Sequence, residues 1–198
     1  MHRYQILAVV GWIILATMSQ AAKYNRVVDL GQAAPPWSKL AAVDGHTYTI
    51  DSFRGADAIV IVFTCNLCPV ANAYVPRLKQ LAEDFASRSV KIIAINVNAD
   101  ETLEQMKDHA GQHEFNFPYL YDKKQDTARA YGATCTPHVF LLNKERKIAY
   151  MGAIDDHWID ASEVKRLYLR EAIEDLLDGN QPQVGEVRPV GCAIHWNR

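Results

Sequence analysis

The 198-residue sequence predicts an α/β domain with a central mixed sheet flanked by helices and an irregular C-terminal tail. Three observations carry this. Residues 58–63 and 90–97 are almost unbroken apolar, β-branched runs of the kind found in strands buried on both faces. Between and after them, apolar residues recur at three- and four-residue spacing, as on one face of a helix. The alternation of strand and helix implies a mostly parallel sheet with helices on both faces. With 49% hydrophobic residues, the length supports one domain with a real core.

The elements follow in order. Residues 23–36 are polar, end in Pro35-Pro36 and read as an extended lead-in. Residues 47–50 (Thr-Tyr-Thr-Ile) read as a short strand. The run 58–63 is the main strand and stops at Thr64-Cys65-Asn66. Val70, Tyr74, Leu78, Leu81, Ala82 and Phe85 then mark a helix, in which Pro76 should produce a kink. Residues 90–97 form the second buried strand and 100–113 a helix with charged faces. Residues 118–121 are a short strand, 126–131 a short helix and 138–143 a third strand. A turn at 143–146 leads to a returning antiparallel strand at 147–151. An amphipathic helix at 164–177 is stopped by Gly179-Asn180. The domain is expected over residues 22–180, with 181–198 as the tail.

Charge and the N-terminus limit the function classes. The 21 basic residues against 23 acidic ones leave a net charge of −2, so there is no basic excess for binding nucleic acid. The weakly positive start, the apolar and small residues of 6–18 and the small residues before a cut after Ala21 match a secretory signal. The run is short of the ~20 residues of a spanning helix. An uncleaved anchor is the competing reading, and it is the only one that would make a membrane a partner. Both place the rest of the chain outside the cytoplasm, secreted or periplasmic, where a disulfide persists.

Four cysteines are too few for a disulfide scaffold. Cys65-Asn66-Leu67-Cys68 lies where the main strand ends and the next helix begins. Near a helix N-cap, unpaired N–H groups and the helix dipole favour a thiolate at Cys65. Three residues on, Cys68 returns to the same face, within reach of a small disulfide ring. Cys65 is therefore the expected attacking thiol and Cys68 the resolving one. Zinc binding would need a second such pair, and Cys135 and Cys192 stand singly. A purely structural disulfide is the other alternative.

Thr136-Pro137 opens the third strand, and a proline there can be a simple strand start. Its position after Cys-x-x-Cys, just before the hairpin, resembles the thioredoxin-like superfamily. The resemblance implies that Pro137 is a cis-proline lying against the redox pair and that Thr136 contacts the substrate chain. Gly31-Gln32-Ala33-Ala34-Pro35-Pro36-Trp37 is similar to the opening of the redoxin branch, which includes the alkyl hydroperoxide reductase/thiol-specific antioxidant group. Residues 117–143 resemble that branch and the TlpA/ResA-type extracytoplasmic thioredoxins. Cys-Asn-x-Cys-Pro, Thr-Cys-Thr-Pro and the tail Val190-Gly191-Cys192-Ala193-Ile194-His195-Trp196 resemble a peroxiredoxin-like subgroup. The likeness covers about residues 29 to 198.

The chain departs from these patterns at three points. Asn66-Leu67 between the cysteines matches neither the Gly-Pro of thioredoxin nor the Pro-His of DsbA. True peroxiredoxins carry Thr or Ser three residues before the peroxidatic cysteine; here that residue is Val62. Thioredoxin has a buried acid on the strand before its cysteines; residues 58–63 contain none, so proton transfer needs water or another group.

Cys135, two residues before Pro137, is expected near the redox pair, and an exposed free thiol is unattractive outside the cytoplasm. A second disulfide, Cys135–Cys192, pinning the tail over the site is therefore expected, with two unpaired thiols as its alternative. His109 and His113 share a helix face without the glutamate of a zinc-protease motif, and Asp155-Asp156-His157 reads as a polar loop. His138 is either a cation beside Cys65 or strand filler.

The expected function is extracytoplasmic thiol–disulfide exchange with protein cysteines and a redox partner. The Cys65–Cys68 disulfide is its redox group, with no metal and no other cofactor. A thiol peroxidase is the first alternative; a metal carrier or binding module is the second.

Overall fold

A computed structural model of the chain describes residues 22–197; the expected leader or anchor at 1–21 lies outside the described residues. Strands β1 (Leu40–Ala42) and β2 (Thr47–Tyr48) form an edge hairpin ahead of β3 (Ala58–Thr64). Helix α1 (Pro69–Asp84), β4 (Val90–Asn96), α2 (Leu103–Gln112), β5 (Tyr119–Tyr121) and α3 (Asp126–Tyr131) follow. Then come β6 (Cys135–Thr136), β7 (His138–Leu142), β8 (Ile148–Gly152), α4 (Tyr168–Leu177) and β9 (Cys192–Ala193). Seven strands make one sheet in the order β2-β1-β5-β4-β3-β7-β8, while β6 and β9 pair separately.

The strand β3 is buried along nearly its whole length, and its alternation splits the core in two. Val60 and Val62 face α1, α2 and α4; Ile59, Ile61 and Phe63 face Trp37, α3 and the N-terminal segment. Helices therefore lie on both faces, as expected.

The sheet is less parallel than the alternation of elements implies. Only β3, β4 and β5 run parallel; β7 runs antiparallel to β3, with Phe63 opposite His138. The cause is the length of α3. Six residues of helix rise about 9 Å, too little to carry the chain back along a strand of five or more residues at about 3.3 Å each. The chain crosses over the ends of β4 and β3, re-enters the sheet beside β3 from the C-terminal end of the parallel strands and runs back. This reversal sets residues 135–137 beside the C-terminal end of β3.

Three boundaries moved for local reasons. Only Thr47–Tyr48 of the strand expected at 47–50 pairs, because Ile50–Phe53 closes a 3-10 turn in which Thr49 N–H donates to Ser52 Oγ. Helix α4 begins at Tyr168 because Asp156 Oδ1 accepts the N–H groups of Lys165 and Arg166 and holds that stretch to the loop after β8. Helix α2 begins after Thr102, whose backbone N–H donates to Gln105 Oε1 while its hydroxyl accepts the Gln105 N–H. Glu101 is thus left just outside the helix, free to turn inward. Helix α1 continues through Pro76 to Asp84.

The Asp155-Asp156-His157 segment is structural. Buried Asp155 accepts from Tyr74 Oη at 2.7 Å and Arg77 at 2.6 Å, tying α1 to the end of β8. The rings of His109 and His113 lie 4.3 Å apart, and His109 also packs edge-on against Phe115.

Candidate active site

The C-terminal end of β3 delivers Cys65, and α1 starts four residues later. Pro69 takes the first helical position, where a missing N–H costs nothing, so Cys68 is the N-cap and its Sγ accepts the Ala71 N–H at 3.4 Å. Cys65, expected near the cap, lies three residues ahead of it. Residues 65–67 form a turn held from the other side. Glu101, 3% exposed, accepts the N–H of Asn66 at 2.8 Å and that of Leu67 at 3.3 Å. Its carboxylate also accepts from the side chains of Asn96 and Asn98, and Asn96 links it to Tyr119 and Asn66.

Glu101 is the buried acid that the strand before the cysteines lacks. The Thr102-x-x-Gln105 capping box was its only signal in the sequence, by placing residue 101 before the helix.

The Thr136–Pro137 peptide bond is cis. Thr136 is fully buried, with its Oγ1 3.2 Å from Cys65 Sγ and its carbonyl oxygen 2.9 Å from Cys68 Sγ. The structure therefore brings Cys65, Cys68, Thr136 and Pro137 together. Cys65 is 4% exposed and Cys68 1%, whereas Leu67 between them is 72% exposed and forms an apolar knob on the surface.

The acidity of the pair is the reverse of the expectation. Cys68 is pulled down to about 4, first by the Cys65 thiol donating to it and then, against its burial, by Cys192 and the Ala71 N–H. Cys65 is pushed up by its hydrogen bond to Cys68, by burial and by the Glu101 charge, with only the Thr136 hydroxyl opposing. As a thiol Cys68 donates toward the Thr136 carbonyl and Cys192 Sγ and accepts the Ala71 N–H; with the Cys65 and Cys192 thiols turned toward it, it is favoured over Cys65 as the thiolate of the pair.

The other expected site residues sit differently. All four cysteines are free, and Cys192 lies on Cys68, with the two sulfurs 2.8 Å apart, rather than on Cys135. The register explains the correction: β9 sets Cys192 opposite Thr136 and Ala193 opposite Cys135. The thiol of Cys135 instead reaches toward the Pro137 carbonyl at 3.7 Å, and burial lifts it to about 11. His138 is not a cation beside Cys65. Burial lowers it to about 3, and its Nδ1 accepts the Thr134 N–H, bracing the loop before Pro137. Among the described residues no cluster of three His, Cys, Asp or Glu side chains is arranged to hold a metal ion.

A Cys-x-x-Cys at a helix start, packed against a cis-proline at the end of a mixed sheet, defines the thioredoxin-like thiol–disulfide oxidoreductases. The chain belongs to the Redoxin family, whose sequence model matches residues 29–168. It is 26% identical over 121 residues to the thiol-disulfide oxidoreductase ResA of Bacillus thuringiensis subsp. konkukian, covering 61% of this chain and 68% of that protein. Among solved structures, an uncharacterized conserved protein from Geobacillus kaustophilus superimposes with a TM-score of 0.80 at 33% identity, covering 90% of this chain and 97% of that one. A hypothetical protein from Sinorhizobium meliloti 1021 gives the same TM-score at 32% identity, covering 87% and 97%. The enzyme is thus an oxidoreductase of the thiol–disulfide class.

Glu101→Gln tests the buried acid. The substitution removes a negative charge that holds Cys65 protonated and turns an amide NH2 toward groups that are themselves donors. The pH profile of Cys65 alkylation is expected to move to lower pH. A urea titration is expected to show a loss of about 1–3 kcal/mol, the usual cost of unsatisfied buried donors. An unmoved alkylation profile would remove Glu101 from the site's electrostatics.

Proposed function

We propose that the chain exchanges disulfides with protein cysteines outside the cytoplasm, using Cys65 and Cys68 as its redox pair and no other cofactor. The observation that carries this reading is the packing of both sulfurs against Thr136, whose peptide bond to Pro137 is cis. The extracytoplasmic setting rests on the signal-like residues 1–21, and the choice of protein substrates on the relatives of the chain. Among the described residues no helix is long and apolar enough to cross a membrane.

In this reading Cys65 Sγ attacks one sulfur of a substrate disulfide as its proton passes to the Cys68 thiolate. The departing substrate sulfur takes that proton and leaves as a thiol. Cys68, a thiolate again, attacks Cys65 Sγ. The Cys65–substrate bond breaks, the second substrate sulfur leaves as a thiolate, and the Cys65–Cys68 disulfide closes. The substrate is reduced by two electrons and the enzyme pair is oxidised by two. Exposed Leu67 offers an apolar foothold for the substrate chain beside the pair.

The test sets a protein disulfide against a peroxide. Catalytic amounts of the protein are expected to accelerate insulin reduction by dithiothreitol and to leave hydrogen peroxide consumption at the rate of the dithiol alone. Fast peroxide turnover with a sulfenate on Cys65, and no effect on insulin, would make the chain a thiol peroxidase instead.

A further inference from the structure

Strand β9 pairs with Cys135–Thr136 beside the redox pair and carries a cysteine onto it. We propose that Cys192 is a third redox thiol of the site, forming an alternative disulfide with Cys68 and carrying the oxidising equivalent from the buried pair toward the surface. The inference deepens the proposed function and rests on it.

The tail is built to hold this position. Ile194 is buried in the core beneath the sheet. The buried Gln125 donates to the His195 carbonyl and accepts the Asn197 N–H, and the Ala99 N–H donates to the same His195 carbonyl. Arg129 lies 4.3 Å from the ring centre of Trp196. Gly191 permits the approach itself: a Cβ there would lie 2.1 Å from the Thr136 carbonyl oxygen. Residues 181–197 are therefore an irregular tail, as expected, docked as a strap, and they lie beyond the segment matched by the family.

The exchange needs no external oxidant. In the oxidised enzyme Cys65 and Cys68 are joined and Cys192 is a thiol. The Cys192 sulfur attacks Cys68 Sγ, the Cys65–Cys68 bond breaks as the Cys68–Cys192 bond forms, and the electron pair leaves on Cys65. Cys65 takes the proton that Cys192 gives up. The number of disulfides is unchanged, but Cys65 is again a free thiol beside Thr136. Cys192 is more exposed than either of its partners, so a dithiol protein acting as reductant can attack it directly. Cys68 then departs as a thiolate, stabilised by the Ala71 N–H, and the second thiol of the reductant attacks its own sulfur in the mixed disulfide, closing the reductant's disulfide and releasing Cys192.

The full-length chain carrying Cys65→Ser, oxidised with diamide, alkylated and mapped without reduction, tests this. The expected peptide map joins Cys68 to Cys192 in most molecules and shows Cys135 alkylated. Free Cys68 and Cys192, or a Cys135–Cys192 link, would overturn the proposal. Cys192→Ser under the same treatment is expected to form Cys65–Cys68; if it does not, the proposed function fails rather than the role of Cys192. Gly191→Ala, which pushes β9 off Thr136, provides a second readout in the otherwise unchanged chain. It is expected to lower the Cys68–Cys192 share about tenfold, because the effective concentration of one thiol at the other falls with its displacement. An unchanged share would show that the docked tail does not set the exchange.

Discussion

Cys68→Ser is expected to accumulate a covalent adduct between Cys65 and its protein substrates, while exchange turnover falls at least about 100-fold. Both effects follow from the geometry of the pair. Cys65 is the outer thiol, 4% exposed against 1%, and it touches the Thr136 hydroxyl, so it meets the substrate first. The serine oxygen cannot close a disulfide, so the mixed disulfide has no resolving thiol in its ordinary place. The substitution also removes the largest influence holding Cys65 protonated, leaving burial and Glu101 to raise it. Cys65 in this variant should therefore alkylate faster near neutral pH than in the reduced native enzyme. Non-reducing gels and peptide mapping after incubation with reduced and oxidised substrate read the trap. An adduct on Cys68 in Cys65→Ser, with none on Cys65 in Cys68→Ser, would exchange the two roles.

The residues that chemistry needs were legible because each is marked locally. The apolar run of β3, its polar stop and the Cys-x-x-Cys after it give the position of the dithiol from periodicity and spacing alone. Thr136-Pro137 became informative only through its order and distance relative to that pair, since a proline at a strand start has an ordinary meaning. What failed to show depends on through-space relations. The antiparallel course of β7 follows from how far a six-residue helix can carry the chain. The inward turn of Glu101 follows from a capping box on the next helix. The meeting of Cys192 with Cys68 follows from pairing between two two-residue strands separated by more than fifty positions. Pro69 held the signal that the cap itself is Cys68, because proline favours the first helical position.

The placement of charge in the dithiol leads to a second large effect, on the pH dependence of the reduction potential. Cys68 is held below and Cys65 above the ordinary thiol range, so over a window around neutral pH the reduced pair carries one proton and one charge. Reduction of the disulfide in that window takes up two electrons and one proton. The potential should then fall by about 30 mV per pH unit, whereas a pair of ordinary thiols taking up two protons gives about 59 mV. The same linkage acts on the stability of the reduced form. A thiol whose folded value lies below its unfolded value contributes stability in full above the unfolded value, and loses it as pH falls toward 4. The reduced enzyme should therefore gain stability steadily from pH 5 to 8, and Cys68→Ala should lose that slope. Equilibration against glutathione or dithiothreitol at several pH values measures the first quantity. Thiolate absorbance near 240 nm, compared between native and Cys68→Ala protein, checks the assignment. A slope of about 59 mV per unit would mean that the Thr136 carbonyl keeps Cys68 as a thiol. Cys65 would then have no thiolate beside it to take its proton, and the first exchange step would need Glu101 or solvent as its base.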